Sequence, residues 1–528
     1  MEGENNRLKI PGKPLNLADR FLDHNLRAGR GQKVAVVEDG PDGVHRYTYQ
    51  EVSERANRYG RVFQTLGLRL EDRILLVLPD GIDWVAAFFG ALKAGCTAVF
   101  VSPQVSAEEL AFYLRDSRAR SVVLNEEGTK KLVDPDGSQT VPCNVEDPAF
   151  RAMLNEMPST LEAAPTLEED FAIWLYSSGS TGSPKAAVHR AHDFVYNTER
   201  YARNVLRLSD EDVTVSVPKL FFGYATGANL LFPFYFGGTT VLFPDRPHPD
   251  RLFELVERHR ASVLINVPTM IARMVEAHEA EPRDISSLRI LTSAGEALPP
   301  ELYRRWIRAT GVEILDGIGS AEMFHVFISA RAGEVVPGSL GTLVDGYEAR
   351  IVGPNGEDLP DGEVGSLWVR GGSAAAFYWQ RMHRSREVLR GEWVVTGDLF
   401  RRRSDGHFFY QGRADDLMKV SGQWVSPQEI EDALTRHPAV AEAGVARWES
   451  EGLTKPIAFV VVRSGVAAED VLASTLQDHV ADTLVPFKAP RRVFFVGALP
   501  RGDRDKLDRA ALARWARERS SSRQEPAS

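Results

Sequence analysis

The chain has 528 residues, of which 43% are hydrophobic and 26% charged, and its formal net charge is −10 at pH 7. This length predicts two or three domains with substantial cores, and the negative charge argues against nucleic-acid binding. Two cysteines, Cys96 and Cys143, are too few for a disulfide framework or a cysteine metal cluster. The polar residues 1–6 lack a signal-peptide core and no apolar run approaches a membrane span, so we expect a cytoplasmic protein without membrane contact.

The first part of the chain alternates helical and strand patterns. A capping box, Thr48-Tyr49-Gln50-Glu51, opens an amphipathic helix that runs to about Leu66. The patterns that follow predict strands at 73–79, 97–101 and 120–124 and helices at 82–94 and 107–115. Such alternation is typical of a doubly wound α/β fold.

One stretch carries a strong chemical signal. The apolar run 171–176 predicts a buried strand, and it leads directly into Tyr-Ser-Ser-Gly-Ser-Thr-Gly-Ser-Pro-Lys at 176–185. Glycines let backbone N–H groups approach an anion closely, and hydroxyls and an ammonium add donors. The stretch is not the common nucleotide-binding loop Gly-x-x-x-x-Gly-Lys-Ser/Thr, because its glycines are only three residues apart and Lys185 is followed by Ala186. A flexible surface turn is the alternative, but this density of hydroxyls directly after a strand favours a phosphate cradle.

The pattern of predicted secondary structure changes twice in the later part of the chain. Strand patterns at 213–217, 239–243, 263–267 and 288–292 continue the α/β alternation. From about 338 to 412, short alternating runs with Asn355-Gly356 and Asp361-Gly362 predict a β-rich subdomain with hairpins. We therefore predict an N-terminal domain at 1–412 and a small α+β C-terminal domain at 413–528, with a disordered tail at 520–528. The C-terminal patterns predict helices at about 427–435, 468–484 and 507–519 and strands at about 441–445, 457–462 and 492–496.

The loop at 176–185 resembles the phosphate loop of the acyl-adenylate-forming superfamily, which includes acyl-CoA synthetases, peptide-synthetase adenylation domains and luciferases. Further segments match that superfamily in the expected order. They are Ser293–Glu296, Asp316–Met323, Thr396–Asp398, Gly412–Asp416, Lys419–Pro427 and Pro500–Lys506. Four sequences, beginning at residues 293, 317, 374 and 419, narrow the resemblance to benzoate-CoA ligases over about residues 15–515.

The resemblance implies a nucleotide site. Its residues are Ser177, Ser178, Gly179, Ser180, Thr181, Gly182, Lys185, Ser293, Ala294, Gly295, Glu296, Asp316, Gly317, Ile318, Gly319, Asp398 and Arg413. Glu322 helps hold Mg²⁺, which in phosphate sites takes only one or two carboxylates. Asp398 suits a ribose, because a carboxylate accepts hydrogen bonds from a 2′,3′-diol. Lys506, Glu322 and Lys185 are the catalytic residues that the resemblance implies, and a capping or solvated side chain is the structural alternative for each.

The resemblance also implies an acyl pocket and a moving domain. The pocket residues are Phe222, Tyr224, Ala225, Gly319 and His325. Flat apolar side chains suit the stacking of an aromatic ring, and His325 is either a pocket donor or a satisfied core histidine. The hinge is Asp415, and the thiol tunnel contains Lys419, Ser421, Gly422 and Trp424.

These expectations predict an aryl-CoA synthetase. ATP activates a benzoate-type acid to an aryl-adenylate, and CoA then takes the aryl group, releasing AMP. ATP, Mg²⁺ and CoA act as substrates or activator, without a prosthetic group, and the protein is a monomer or a homodimer. Two departures, Ala321 where the family usually has Thr and Asp505 where it usually has Gly, leave a non-catalytic ligand-binding member as one alternative. Transfer to a carrier protein acting in trans is the other.

Overall fold

The computed structural model describes residues 12–133, 140–178, 184–420, 423–450, 453–463, 465–501 and 507–521. In this part of the chain, no helix is long and apolar enough to cross a membrane. Both cysteines are buried free thiols.

The first third of the chain carries the predicted alternation of helices and strands, and the capping box at Thr48–Glu51 is present with both of its hydrogen bonds. Its elements are α1 (His24–Arg27), β1 (Val34–Gly40), β2 (Gly43–Thr48), α2 (Tyr49–Thr65), β3 (Arg73–Val77), α3 (Ile82–Lys93), β4 (Thr97–Phe100), α4 (Ala107–Ser117), β5 (Ser121–Leu124), α5 (Glu126–Lys130), β6 (Val141–Asn144), α6 (Pro148–Glu156), β7 (Phe171–Ser178), β8 (Pro184–Arg190) and α7 (Ala191–Asn197). A π-helical turn, Asp19–Asp23, precedes α1.

The next segment repeats the α/β pattern, which confirms the four predicted strands within two residues. Its elements are β9 (Val213–Ser216), α8 (Gly223–Thr226), α9 (Phe232–Phe236), β10 (Thr239–Leu242), α10 (Pro249–His259), β11 (Val263–Asn266), α11 (Pro268–Ala280), β12 (Ile290–Ala294), α12 (Pro300–Thr310), β13 (Ile314–Gly319), β14 (Val326–Ser329) and β15 (Thr342–Leu343). A π-helical turn, Thr198–Ala202, precedes β9; a second, Gly227–Leu231, lies between α8 and α9, and the 3₁₀ turn Ala321–Met323 lies between β13 and β14.

These elements build two sheets. One has seven strands in the order β8-β7-β4-β3-β5-β6, with a two-residue strand at 377–378 beside β8. The other has nine strands in the order β15-β14-β13-β12-β11-β9-β10-β1-β2. The strands in the middle of both sheets are parallel and fully buried. The largest hydrophobic core lies between the sheets, where α2, α3 and α9 contribute to it. The predicted doubly wound α/β fold class is confirmed.

The β-rich region follows. Its elements are β16 (Glu348–Val352), β17 (Val364–Arg370), β18 (Phe377–Tyr378), α13 (Met382–Val388), β19 (Leu389–Arg390), β20 (Trp393–Arg402) and β21 (Phe408–Arg413). Five of the strands form a sheet in the order β16-β17-β20-β19, with β21 on β20. The predicted hairpin at Asn355-Gly356 is confirmed, because Val352 and Asp358 form an antiparallel bridge across it and the Gly353 N–H donates to the Glu357 carbonyl at 2.8 Å. Asp361-Gly362 lies in the turn between this short hairpin and β17.

The C-terminal region has its own cores and a three-stranded sheet, β24-β25-β26. Its elements are β22 (Met418–Val420), β23 (Gln423–Val425), α14 (Pro427–Thr435), β24 (Val440–Ser450), β25 (Leu453–Val462), α15 (Asp470–Thr483), β26 (Val493–Phe495) and α16 (Arg509–Ser521), with 3₁₀ turns at Ala414–Asp416 and Pro486–Lys488. The domain boundary at residue 413 stays a prediction. The predicted disordered tail begins too early, since Ser520 and Ser521 end α16, and 522–528 lie outside the described residues.

Candidate active site at the interface of the two sheets

A cleft of about 1650 Å³ opens where the carboxyl ends of strands from both large sheets meet, and C-terminal residues form its far wall. Parallel α/β sheets bind ligands at this end of their strands. Most of the predicted nucleotide residues within the described ranges line it. They are Ser177, Lys185, Ala294, Gly295, Glu296, Gly317, Ile318, Gly319, Asp398 and Arg413. Ser293 and Asp316 are buried behind this lining.

The two sheets are joined at the cleft by three side chains. Lys185, on β8, places Nζ 3.4 Å from Oε1 of Glu322, which lies in the 3₁₀ turn after β13. Lys185 Nζ also donates to the Tyr378 hydroxyl at 2.7 Å and lies 4.2 Å from the centre of the Tyr378 ring. The Tyr378 hydroxyl donates in turn to Glu322. We call Lys185, Tyr378 and Glu322 the phosphate-side cluster.

Burial and charge set the protonation of this cluster. Burial lowers the pKa of Lys185, and the nearby Glu322 only partly opposes this effect. For Glu322, burial acts to raise the pKa, but the Lys185 ammonium and the Tyr378 hydroxyl outweigh it and the pKa is lowered. Burial and Glu322 together raise the pKa of Tyr378. Glu322 is therefore a carboxylate and Tyr378 a neutral hydroxyl that donates to it.

The strand before the phosphate loop ends beside Lys185. Ser177 of β7 pairs with Lys185 of β8 across the hairpin whose tip is the loop. The Ser177 hydroxyl is buried and has no hydrogen-bond partner among the described residues. A buried hydroxyl without a partner and an ammonium at the two sides of one loop are donors that fit a phosphate.

The turn that carries Glu322 is held from behind. His189 Nε2 lies 2.6 Å from the carbonyl oxygen of Ala321, and His189 Nδ1 lies 3.0 Å from Oδ2 of Asp193. Both ring nitrogens face oxygen acceptors. All side-chain atoms of His189 and Asp193 are buried. This pair fixes the backbone directly before Glu322, at the position where the family usually has Thr.

A second charged pair lies at the β-rich side of the cleft. Asp398 on β20 and Arg413 on β21 are opposite each other in the antiparallel ladder. Arg413 Nη1 donates to Asp398 Oδ1 at 3.0 Å and to the carbonyl oxygen of Thr396 at 3.3 Å. Burial raises the pKa of Asp398, and Arg413 opposes this effect. We call Asp398 and Arg413 the ribose pair, after their predicted role.

Asp316 contrasts with the ribose pair, because its carboxyl group has no cationic partner among the residues that the structure describes. It is 6% exposed, and its Oδ1 has no hydrogen-bond partner among the described residues. Burial raises the pKa of Asp316 to about 8. The nearby Gly319 shows how tightly the end of β13 packs, since a Cβ there would lie 2.6 Å from the carbonyl oxygen of His325. Glycine is required at this position.

Glu296 has its carboxylate turned to the protein. Its Oε2 accepts hydrogen bonds from the Thr269 backbone N–H at 3.1 Å and from the Thr269 hydroxyl at 2.8 Å. Thr269 is the second residue of α11, so Glu296 satisfies a backbone donor that the helix leaves unpaired. The predicted contribution of Glu296 to the nucleotide site is thus limited to the backbone and to the shape of the turn.

Aromatic side chains line the cleft between the two charged groups. Phe222 and Tyr224 line the cleft, and Ala225 is buried behind them. The Tyr224 hydroxyl lies 2.7 Å from the hydroxyl of Thr292. The Phe221 ring, which sequence reasoning did not single out as a site residue, lies 4.4 Å from the Phe222 ring. This wall offers flat apolar surfaces to a bound ring.

His325 lies at the base of this wall. Its Nε2 is 3.0 Å from the carbonyl oxygen of Tyr224, to which it donates, and Nδ1 has no partner among the described residues. Burial lowers the pKa of His325 to about 3, so the ring is neutral. The Phe232 ring lies 4.7 Å from the imidazole. Since its Nε2 proton bonds the Tyr224 carbonyl, the nitrogen left without a partner among the described residues is the buried acceptor Nδ1, and the role of His325 as a pocket donor stays a prediction.

Some predicted residues lie outside the described ranges. These are Gly179, Ser180, Thr181, Gly182, Ser421, Gly422, Asp505 and Lys506, and the side chains of Ser178, Lys419 and Trp424. The predicted hinge residue, Asp415, is exposed in the 3₁₀ turn after β21 and lines the cleft. Their predicted roles stay predictions.

Sequence reasoning did not assign roles to several residues that the fold brings to the site. Tyr378 belongs to the segment 374–379 that resembles benzoate-CoA ligases, but the sequence alone indicates no separate role for it. Its position beside Lys185 depends on the pairing of β18 with β8. His189 and Asp193 are four residues apart, and this spacing is the one signal in the sequence that could have indicated their contact. Lys219 and Asp80 hold the aromatic wall, since Lys219 Nζ donates to the Phe243 carbonyl at 2.6 Å and Asp80 accepts from the Leu220 N–H at 2.8 Å.

Comparisons with known proteins agree with this geometry. Residues 22–379 match the family described as AMP-binding enzyme, and residues 429–506 match the AMP-binding enzyme C-terminal domain. A benzoate–CoA ligase from Thauera aromatica is 40% identical over 514 residues, which cover 96% of this chain and 97% of that protein.

Two solved structures extend the comparison. The anthranilate CoA ligase AuaEII, crystallised with anthranoyl-AMP, has a TM-score of 0.90 at 35% identity, covering 97% of this chain and 99% of that one. A benzoate CoA ligase from Burkholderia xenovorans LB400 has a TM-score of 0.87 at 37% identity, covering 94% and 99%. On this evidence the chain belongs to the AMP-binding enzyme family.

Proposed function

We propose that this protein is an aryl-CoA synthetase that activates a benzoate-type acid with ATP and transfers the aryl group to CoA. The observation that carries the proposal is that one cleft combines the phosphate-side cluster, the ribose pair and an aromatic wall. The full-length similarity to a benzoate–CoA ligase supports the substrate class. The reaction consumes the acid, ATP and CoA and releases aryl-CoA, AMP and pyrophosphate.

The phosphate-side cluster suits the triphosphate of ATP. Lys185 supplies a positive charge, and Ser177 supplies a hydroxyl that has no partner among the described residues, at the base of the predicted phosphate loop. Glu322 is a single buried carboxylate beside them, which fits a Mg²⁺ ion that arrives with ATP and keeps phosphate oxygens as its other ligands. Glu322 would hold this ion, which would neutralise phosphate charge, while Lys185 and Ser177 would hold the triphosphate in place. Adenylate formation depends mainly on such positioning and charge stabilisation.

The ribose pair orients the nucleotide from the opposite side. The Asp398 carboxylate uses Oδ1 for Arg413, so its other oxygen is available to a ribose hydroxyl. In the adenylating step, a carboxylate oxygen of the acid attacks the α-phosphorus and pyrophosphate leaves. Lys506, a predicted catalytic residue, would stabilise the charge that moves between these groups.

The aromatic wall selects the acid. Phe222 and Tyr224 offer ring faces, and the neutral imidazole of His325 lies at the base of the wall. A ring of benzoate size suits this surface. The anthranilate CoA ligase AuaEII, solved with anthranoyl-AMP, shows that a relative with this fold binds the adenylate of an amino-substituted acid.

In the second half-reaction the thiol sulfur of CoA attacks the carbonyl carbon of the adenylate, and AMP leaves. The relative's name as a CoA ligase supports CoA as the acceptor over a carrier protein. We infer that the C-terminal domain turns about Asp415 between the two steps, because Lys506 and the predicted thiol tunnel at Gly422 serve different reactions. We also propose a cytoplasmic location, since ATP and CoA are intracellular metabolites.

The test is ATP–pyrophosphate exchange across aromatic and aliphatic acids, followed by addition of CoA or a phosphopantetheinylated carrier protein. We expect exchange with benzoate-type acids and release of AMP and aryl-CoA with CoA. Exchange without turnover on CoA, but with turnover on the carrier, would move the acceptor to a carrier protein. Binding of ATP without any exchange would overturn the proposal in favour of a non-catalytic protein, and Ala321→Thr and Asp505→Gly would then be the first variants to make.

A further inference from the structure

A chain of polar contacts crosses the cleft from the N-terminal part to the C-terminal part. Its first link is Glu296, which accepts from the hydroxyl and the backbone N–H of Thr269 at 2.8 and 3.1 Å. Its second link is Arg501, whose Nη1 donates to the Thr269 hydroxyl oxygen at 3.1 Å. Its last link is Glu442 on β24, which Arg501 Nη2 approaches to 2.7 Å.

The direction of these bonds is fixed by chemistry. A threonine hydroxyl has one proton and two lone pairs, and guanidinium and carboxylate groups can only donate and accept, respectively. Thr269 must therefore donate its proton to Glu296 and accept from Arg501. The hydroxyl thus lies between a carboxylate and a guanidinium, and bonds to charged groups are the stronger ones. Arg501 is also well shielded, since 21% of its side chain is exposed.

Arg501 lies at the base of the segment that carries the predicted catalytic lysine. Residues Arg501 and Leu507 form an antiparallel bridge, and the Asp508 N–H donates to the Pro500 carbonyl at 2.9 Å. Arg501 and Leu507 are the described residues on either side of 502–506, and both line the cleft. The position of Arg501 therefore determines where the chain enters the segment that contains Lys506, relative to the nucleotide site.

We propose that Arg501 is a positioning residue for adenylate formation, which acts by anchoring the base of the Lys506 segment to Thr269 and Glu296. This inference rests on the proposed function. Glu296 belongs to the turn predicted to lie against adenine, so the anchor ties the base of this segment to the nucleotide side of the cleft. Because the anchor joins two parts of the chain that turn relative to each other in the proposed cycle, it serves the first half-reaction and not the second.

The test is Thr269→Val, which removes the hydroxyl at nearly constant volume. ATP–pyrophosphate exchange with a benzoate-type acid should fall about tenfold, the effect of losing a hydrogen bond to a charged group. The rate of thiolysis of supplied aryl-adenylate by CoA should stay within about twofold of the wild-type rate. Thr269→Ser keeps the hydroxyl and should restore exchange. Arg501→Met should reproduce the same split between the two half-reactions.

Matched controls separate this role from a loss of stability. Thr475→Val removes a hydroxyl that bonds a carbonyl of its own helix on the exposed face of α15, and it should change neither half-reaction. A thermal melt of each variant checks folding. Equal losses in both half-reactions, or no loss in Thr269→Val, would overturn the inference. Failure of the wild-type protein to catalyse exchange with any acid would instead overturn the proposed function.

Discussion

The ribose pair and the phosphate-side cluster hold charged side chains in the same cleft by different means. Asp398 and Arg413 face each other on adjacent antiparallel strands, so one hairpin sets their 3.0 Å contact. The phosphate-side cluster comes from three separate elements: β8 carries Lys185, the turn after β13 carries Glu322 and the short edge strand β18 carries Tyr378. Lys185 is 137 residues from Glu322 and 193 residues from Tyr378 in the sequence. The first group depends on local structure, whereas the second depends on the packing of the sheets.

This difference predicts how each group responds to substitution. A change in the ribose pair should act on one ligand contact, because its partners are fixed by the strand ladder. A change in the phosphate-side cluster should alter the remaining members as well, because they hold each other across the interface between the sheets.

Glu322→Gln should have the largest effect. It removes the carboxylate that accepts from Tyr378, that pairs with Lys185 and that suits Mg²⁺. ATP–pyrophosphate exchange should fall by about two orders of magnitude, a typical cost of losing one group that stabilises a charged transition state. The Mg²⁺ concentration for half-maximal exchange should rise. Glu348→Gln, at an exposed ion pair with Arg370, is the matched control, and an unchanged Mg²⁺ requirement in Glu322→Gln would contradict the predicted metal role.

Asp398→Asn tests the local group. Its effect should be an increase of about tenfold in the KM for ATP, because the carboxylate that would accept from the ribose is lost. The sharper measurement compares ATP with 2′-deoxy-ATP and 3′-deoxy-ATP. Wild-type protein should prefer ATP over at least one deoxy analogue, and this preference should collapse in the variant. The same preference in both proteins would show that Asp398 does not contact the ribose.

Tyr378→Phe tests the assembled group with a smaller change. The ring that lies beneath the Lys185 ammonium remains, while the hydroxyl that joins Lys185 to Glu322 is removed. The kcat of exchange should fall about fivefold, in line with one lost hydrogen bond to a charged partner. In the double variant with Glu322→Gln, the loss should be smaller than the product of the two single losses. Tyr303→Phe on α12 is a control, and a multiplicative double variant would contradict the proposed coupling.

The same difference explains what the sequence could predict. Patterns that depend on neighbouring residues were reliable. Helix α14 spans the predicted residues 427–435, because the pattern from Ser426 contains a full capping box with Pro at the start. The strands β3 and β4 also follow from their apolar runs.

Contacts between distant segments were not predictable in this way. The sequence shows Tyr378 as one aromatic among several, and only the pairing of β18 with β8 gives it a position beside Lys185. Similarly, nothing near Glu296 in the sequence indicates that Thr269, 27 residues earlier, takes its carboxylate. The tautomer of His325 depends on the Tyr224 carbonyl, which α8 brings to it.

Asp316 and Asp398 are both buried carboxyl groups, but within the described part of the chain only Asp398 forms an ion pair. Burial raises the pKa of Asp316 to about 8, against a value near 4 in an unfolded chain. Between these values the folded protein holds one proton more than the unfolded chain. The free energy of unfolding should therefore fall as the pH rises through this window, by about 1 kcal/mol for each pH unit at most, and level off above pH 8.

Asp316→Asn removes this titration, because an amide keeps the volume of the side chain and cannot ionise. The stabilising contribution of the protonated carboxyl is complete below pH 4 and is lost as the pH approaches 8, so the melting temperature of wild type should fall more between pH 5.5 and pH 8.5 than that of the variant. Asp361→Asn, at an exposed ion pair with Arg402, should follow wild type. Equal pH slopes for wild type and Asp316→Asn would mean that the Asp316 carboxyl ionises freely in the folded protein, and that the end of β13 has the access to water or to a cation that distinguishes the ribose pair.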